Sequence, residues 1–374
     1  MVIVLIGCKP GNAVQGGRMD VSGACDFLWS QQQSDGSWRS TEHRIMGEGH
    51  VLTPFILYHM SLLPDSLTQS YQSDFIKGLD YLRAELDKYG ILGFADQDFM
   101  EYPNYANAYA LMLLHQVSDP QDQTRIKQLQ QYLAAQQFNE QRGVTLENLA
   151  YGGWGFGERL DHGDHGQVDL SHTRRALQAL QASGHPMKRI RKPALRFLNL
   201  LQKQPQTRHL QPIVGDKIAQ IPSDGGFYYS PVVLGANKAH TDSLGFFKSY
   251  PTATGDGLLA LRILDAQATE ITAAWRYLNN ETDLWDWYLE EAPHWSQAMR
   301  YYHLMVRSEV LVQMGADTYW DQQVISWLGT QQLPNGSFIN EQGMISKEDE
   351  PLLTTTMALF IWLNCQLADK NPSV

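Results

Sequence analysis

Two stretches near opposite ends of the chain follow one pattern: FLWSQQQSDGSW over residues 27–38 and WLGTQQLPNGSF over residues 327–338. Each runs aromatic, Leu, two residues and Gln-Gln, then a turn residue with Gly, then Ser and an aromatic. Asp35-Gly36 and Asn335-Gly336 suit a tight turn because Gly tolerates positive φ. A Gln at a helix C-terminus can bond the free carbonyls there, and the following aromatic can cover the turn. A unit that recurs across a chain implies a repeat architecture, which constrains the fold more than any single helix does.

Weaker copies lie between the two. Tyr81-Leu82 leads to Gly93-Phe94, Gln136-Gln137 to Gly152-Gly153-Trp154-Gly155-Phe156, and Leu201-Gln202 to Asp224-Gly225-Gly226-Phe227. Tyr277-Leu278 leads to Trp285-Asp286-Trp287 without the glycine. After each turn the apolar spacing predicts a second helix, over residues 51–63, 102–117, 168–183, 252–266, 295–314 and 351–367. Pro351 suits a helix start, and Gly184 and Gly315 suit positions just past helix ends. Six outer and six inner helices without strand runs make an open solenoid or a closed ring. Closure is favoured, since the first and last turns match and carry no polar caps. Insertions at 140–149, 204–223 and 233–248 separate outer from inner helices and should crowd one rim, where loops often carry function.

The 374 residues carry a formal net charge of −11, which argues against a nucleic-acid partner. The basic run Lys188-Arg189-Ile190-Arg191-Lys192 reads as a solvated helix face. Cys8, Cys25 and Cys365 have neither zinc nor disulfide-framework spacing. Leu5-Ile6-Gly7-Cys8 matches a lipoprotein cleavage box, although few apolar residues and no basic segment precede it. The chain is therefore read either as a cell-envelope lipoprotein attached through Cys8 or as cytoplasmic. A membrane would be met only through that anchor, because no apolar run of spanning length occurs. Residues 1–19 are read as an N-terminal segment, with a single toroid from 20 to 374.

The Gln-Gln…Asp-Gly-Ser-Trp turns resemble the QW repeats of the squalene–hopene cyclase and protein prenyltransferase β-subunit superfamily. DGGFYYSP, SYPTATGDGLLAL and Tyr301-Tyr302-His303 look like the single-toroid bacterial type with prenyltransferase/squalene oxidase repeats. The resemblance implies an all-α (α/α)6 toroid. It also implies a test of chemistry. Class II cyclases of the family protonate an alkene with the middle Asp of D-x-D-D-T. The matching segment here is Asp169-Leu170-Ser171-His172-Thr173, with Ser at the acid position. A serine hydroxyl cannot protonate an alkene, so ordinary cyclase activity is not expected. The family's prenyltransferases hold zinc with Asp, Cys and His, and no Cys stands at a corresponding helix start. No metal or cofactor is expected.

Polar residues at the predicted inner-helix starts remain. Asp169, His172 and Asp256 are the catalytic candidates, since a carboxylate three residues from a His can orient it for acid/base work. Asn104, Asn107, Tyr250, Thr254, His294, Trp295, Tyr302, Glu350 and Thr354 are expected to line a central pocket. Asn and Thr serve equally as helix caps. Asp161-His162-Gly163-Asp164-His165 reads as a solvated loop rather than a metal site. The expected function is binding of an apolar or isoprenoid-like small molecule in a central pocket. The alternatives are an enzyme (cyclase, isomerase or transferase) on an isoprenoid with non-standard acid/base residues, and a carbohydrate-active toroid using Asp283, Asp286, Glu290 or Glu291. A deep aromatic cavity with a buried carboxylate of raised pKa would favour an enzyme. The sequence gives no oligomeric state.

Overall fold

The computed structural model describes residues 17–96, 98–210, 220–280, 293–315 and 318–368. Cys8 and the carboxylates Asp283, Asp286, Glu290 and Glu291 lie outside them. In chain order the long helices are α1 (Val21–Ser30), α2 (Leu52–Ser61), α3 (Gln72–Tyr89), α4 (Pro103–Val117), α5 (Gln123–Ala135) and α6 (Leu170–Ala182). Then come α7 (Lys188–Leu201), α8 (Pro251–Ile263), α9 (Ala268–Asn280), α10 (Arg300–Met314), α11 (Thr318–Gln331) and α12 (Pro351–Ala368). Odd-numbered helices are outer and even-numbered ones inner. Each inner helix packs on the next, and α12 packs back on α2. The all-α (α/α)6 toroid expected from the repeats is therefore what the chain forms, as a closed ring. Inner helices have no solvent face to spare: α8 is buried at every residue from Pro251 to Leu261. A helix apolar all round is stable only when wedged between neighbours on both sides.

The repeated turns are the joints of this ring. Gln32, Gln137, Gln202 and Gln332 each donate from Nε2 to the carbonyl of their own turn glycine, at 2.9–3.0 Å. The same nitrogen also bonds a carbonyl of the next outer helix or its start: Asp74, Ile190, Glu270 and, for Gln332, Asp20. The Gln332 pair closes the ring, with Asp20 N–H returning a bond of 2.7 Å to Oε1. Gly336 lies at φ 88°, and a Cβ there would stand 2.1 Å from the Gly23 carbonyl oxygen. Only glycine allows the turn to press this close to α1.

A second element of the repeat was not visible as such in the sequence. The backbone N–H of the turn aromatic donates to a Thr one turn into the inner helix: Trp38 to Thr53, Trp154 to Thr173, Phe227 to Thr254 and Phe338 to Thr355. Asn107 does the same for Leu92. Trp38 and Trp154 are fully buried, and their indole N–H groups bond Leu28 O and Leu133 O on the preceding helix. Each aromatic so ties an outer helix to its inner partner.

One helix departs from expectation. The span 295–314 is broken at Met299 into Pro293–Ala298 and α10. The loop at residues 340–348 occupies the groups that the break frees. Ser346 Oγ and Asn340 Nδ2 donate to Ala298 O, while the Glu348 carboxylate accepts from Tyr301 N (3.0 Å) and Tyr302 N (2.8 Å). The other inner helices match their expected spans to within a few residues. Between the Gly-Trp turn and α6 a short antiparallel ribbon pairs β1 (Trp154–Gly155) with β2 (Val168–Asp169), setting Trp154 opposite Asp169.

Candidate active site

Asp169 is the N-cap of α6, in extended conformation, and its Oδ1 accepts from His172 N at 2.9 Å. The ribbon delivers it there, and capping of free N–H groups explains why an Asp suits the position. Its second oxygen, Oδ2, lies 2.7 Å from His172 Nδ1. The carboxylate thus holds its own helix start and the imidazole of the next turn. In a neutral imidazole, an Oδ2 that accepts places the proton on Nδ1 and leaves the lone pair on Nε2. His172 Nε2 is buried and has no hydrogen-bond partner among the described residues. The ring packs against Phe156 (centroids 4.6 Å) and edge-on against Tyr105 (4.5 Å).

His172 lines a cavity of about 320 Å³ among the inner helices. Met46, Leu52, Phe55, Met305, Leu353 and Met357 form an apolar wall, and Tyr102, Tyr105 and Phe156 an aromatic one. On the polar side stand Ser171, Tyr229 and Lys238, and near them Trp295, Tyr302 and residues 345–348. Ser171 Oγ sits 3.1 Å from Asp169 Oδ1 and 2.7 Å from Tyr229 OH, so it too leans on the capping carboxylate.

Two further carboxylates are drawn in. Tyr302 OH donates to Asp256 Oδ2 at 2.9 Å, and Asp256 Oδ1 accepts from Arg174 Nη1 at 2.9 Å. Arg174 also pairs with Glu309. Burial holds the Asp256 carboxyl above the usual carboxylate range against the pull of Arg174. Asp256 lies behind the cavity wall, joined to it through Tyr302. Glu348 lines the cavity itself, and burial pushes its carboxyl up to about 7 although two backbone N–H groups and the Asn340 amide donate to it.

Of the residues expected at the pocket, His172, Trp295 and Tyr302 line it, with Asp169 and Asp256 directly behind. Of the others, all but His294 hold turns and helix starts instead. Asn104 Nδ2 bonds Gly155 O, Asn107 holds Leu92 and Pro103, and Thr254 bridges Phe227 N and Tyr250 O. Tyr250 is buried with its N–H on Phe227 O, Thr354 donates to Glu348 O, and Glu350 accepts from Ser40 and Leu352 N. His294 is exposed beside Trp295. Backbone amides and carbonyls at helix starts take these side chains before any ligand can. Asp161, His162 and Asp164 are exposed, and no cluster of three metal-ligating side chains occurs among the described residues.

Sequence reasoning missed Tyr102, Tyr105, Phe156, Tyr229, Lys238 and Glu348. Glu348 had a signal: it precedes the helix-starting Pro351 much as Glu101 precedes Pro103, and Glu101 likewise accepts N–H groups from the previous inner-helix start.

Solved structures share this architecture over nearly the whole chain. A variant of the type II terpene cyclase MstE from Scytonema, in complex with geranylgeranyl dihydroxybenzoate, superposes with a TM-score of 0.53 at 14% identity, covering 93% of this chain and 96% of that one. A protein from Actinoplanes gives 0.55 at 13% identity over 92% and 98%. The GH76A alpha-1,6-mannanase from Salegentibacter gives 0.53 at 10% identity over 93% and 100%. At such identities the likeness is one of fold, and it spans two unrelated chemistries. No protein-family model matches the sequence, and no curated protein matches it.

Proposed function

We propose that the chain is an acid/base enzyme acting on an apolar, isoprenoid-like molecule in the central cavity, with His172 as the proton-transferring group and Asp169 as its orienting partner. The observation that carries this reading is the unoccupied, buried Nε2 of a His whose other nitrogen is fixed by a carboxylate. A neutral imidazole so held removes a proton at Nε2 and returns it from the imidazolium. Such a base can isomerise an activated C–H position. It is too weak an acid to protonate an isolated alkene, and Ser171 at the neighbouring position is weaker still. The reading is therefore proton shuffling rather than polyene cyclisation. The raised carboxyls of Glu348 and Asp256 favour an enzyme over a passive binding protein.

The glycosidase alternative asks for two carboxylates open to the cavity. Among the described lining residues Glu348 is the carboxylate, and its oxygens are occupied by N–H groups. Aliphatic and aromatic walls suit a hydrocarbon better than a sugar.

Incubation with geranial in deuterium oxide tests the proposal by mass spectrometry of the recovered aldehyde. Deuterium uptake should fall by roughly 10²–10⁴-fold in His172→Gln. Uptake equal in wild type and variant overturns it.

A further inference from the structure

We infer that Lys238 is an imine-forming amine, which condenses with an aldehyde or ketone carbonyl on an apolar substrate in the central cavity. This rests on the reading of that cavity as an acid/base site and names the functional group its substrate carries.

Lys238 comes from the insertion at residues 233–248, just past a short 3-10 turn at Leu234–Ala236. The preceding Asn237 fixes it there. Asn237 Oδ1 accepts from Tyr229 N (2.8 Å) and Ser230 N (3.1 Å), and Nδ2 donates to Ser230 O (2.8 Å). The loop is so folded onto the segment that carries Tyr229, and the Lys238 side chain enters the cavity wall. Its Nζ lies 4.1 Å from the Trp295 ring centroid and 5.8 Å from that of Tyr229. It forms no ion pair among the described residues. The charged groups that act on it are Asp169, already engaged with His172, and Lys347. Burial, reinforced by Lys347, brings the ammonium below its ordinary pKa despite Asp169. A desolvated lysine beside a second cation is how an amine becomes nucleophilic near neutral pH.

Tyr229 links Lys238 to the start of α6: its ring lies under Nζ and its OH meets Ser171 Oγ, next to His172, so nucleophile and proton carrier face one cavity. The neutral amine attacks the carbonyl carbon and a C–N bond forms. The carbonyl π pair moves to oxygen, which takes up a proton while the nitrogen gives one up to His172, leaving a neutral carbinolamine. The C–O bond then breaks, oxygen leaves as water with a second proton, and the nitrogen lone pair completes C=N. The sum is amine plus carbonyl giving imine plus water, with His172 as the base and acid for the transfers. The protonated imine is a cation, and the faces of Trp295 and Tyr229 stabilise it. It also withdraws electrons from the adjoining carbon chain. That further acidifies the activated C–H bonds from which Nε2 of His172 takes a proton.

The test is reductive trapping on the full chain. Geranial and sodium cyanoborohydride are added near neutral pH, and modified lysines are located by peptide mass spectrometry. Lys238 should carry a single reduced adduct, formed roughly tenfold faster than on the average surface lysine. Geraniol, which has no carbonyl, should compete and suppress this adduct. Lys238→Arg should lose it while keeping its melting temperature, and the wild-type map stands even if that variant does not fold. Adducts spread over surface lysines with no excess at Lys238 overturn the inference. If that result accompanies His172-dependent deuterium uptake, the imine falls and the acid/base reading stands. If uptake is also absent, both fall.

Discussion

The starts of α2 and α6 are built from the same parts and finish differently. In each, a Thr on the inner helix receives the turn Trp N–H, and a buried His stands beside a carboxylate. His50 has both nitrogens occupied: Nδ1 accepts from Gly93 N at 2.8 Å, and Nε2 meets Glu85 at 2.7 Å. Burial keeps it below the usual histidine pKa in spite of Glu85. His172 has one nitrogen occupied and one without a hydrogen-bond partner among the described residues. Residue type, burial and an acidic neighbour are therefore shared by a structural histidine and a candidate catalytic one. The hydrogen-bond inventory separates them, because a nitrogen that already has a partner cannot also serve a substrate.

The shared half of this comparison should break hardest. Trp38→Ala and Trp154→Ala each remove a fully buried indole, and each should cost about 3–5 kcal/mol of stability by chemical denaturation. Very unequal losses would mean that the two joints are not equivalent. The half that differs is sharpened by His50→Gln and His172→Gln. The first disrupts two buried bonds and should lower stability by about 1–3 kcal/mol. The second breaks one buried bond, from Nδ1 to Asp169, and strands nothing at Nε2, so it should cost less than the first, about 1 kcal/mol in the same measurement.

Carboxylates at the helix starts give a pH signature. Glu101 and Glu348 are both raised from 4.5 to about 7 by burial. The native state then binds protons more tightly than the unfolded chain. The stability tied to each is full below the unfolded pKa and is lost as pH rises through about 7, on the order of 3 kcal/mol per group at most. Melting temperature should fall between about pH 5 and pH 8 from this cause, and Glu101→Gln or Glu348→Gln should flatten the slope. An unchanged slope in both variants would remove these groups from the account. The smallest effect belongs to the exposed loop. Asp161→Asn with His162→Gln should alter stability by less than about 0.5 kcal/mol and leave deuterium uptake unchanged.

The ring was legible because its code is local and repeated. Gln32 and Gln332 sit at the same place in the same words, and inner helices show continuous apolar spacing because they are buried on every side. Asp169 and His172 were legible as a pair since helical geometry alone brings residues three apart together. Asn104, Asn107 and Thr254 were misplaced for the converse reason: a polar side chain at a helix start suits a cap and a pocket equally, and only coordinates say which atom it meets. Lys238 and Glu348 come from loops without period, held by Asn237 and Asn340 through bonds that no spacing encodes. The break at Met299 was hidden likewise, because its compensating bonds come from residues more than forty positions away.

The bond between Gln332 and Asp20 has a consequence for how the molecule comes apart. In a linear array the terminal repeats have one neighbour and fray first. Here the last joint gives α1 and α12 neighbours on both sides, so no hairpin is an end. Opening must begin at a joint rather than at a terminus, and the residues that meet there are 312 positions apart. Such a contact is slow to form and forms late. Until it does, the chain is a spiral with two bare edges, and its central space is open to water from the side.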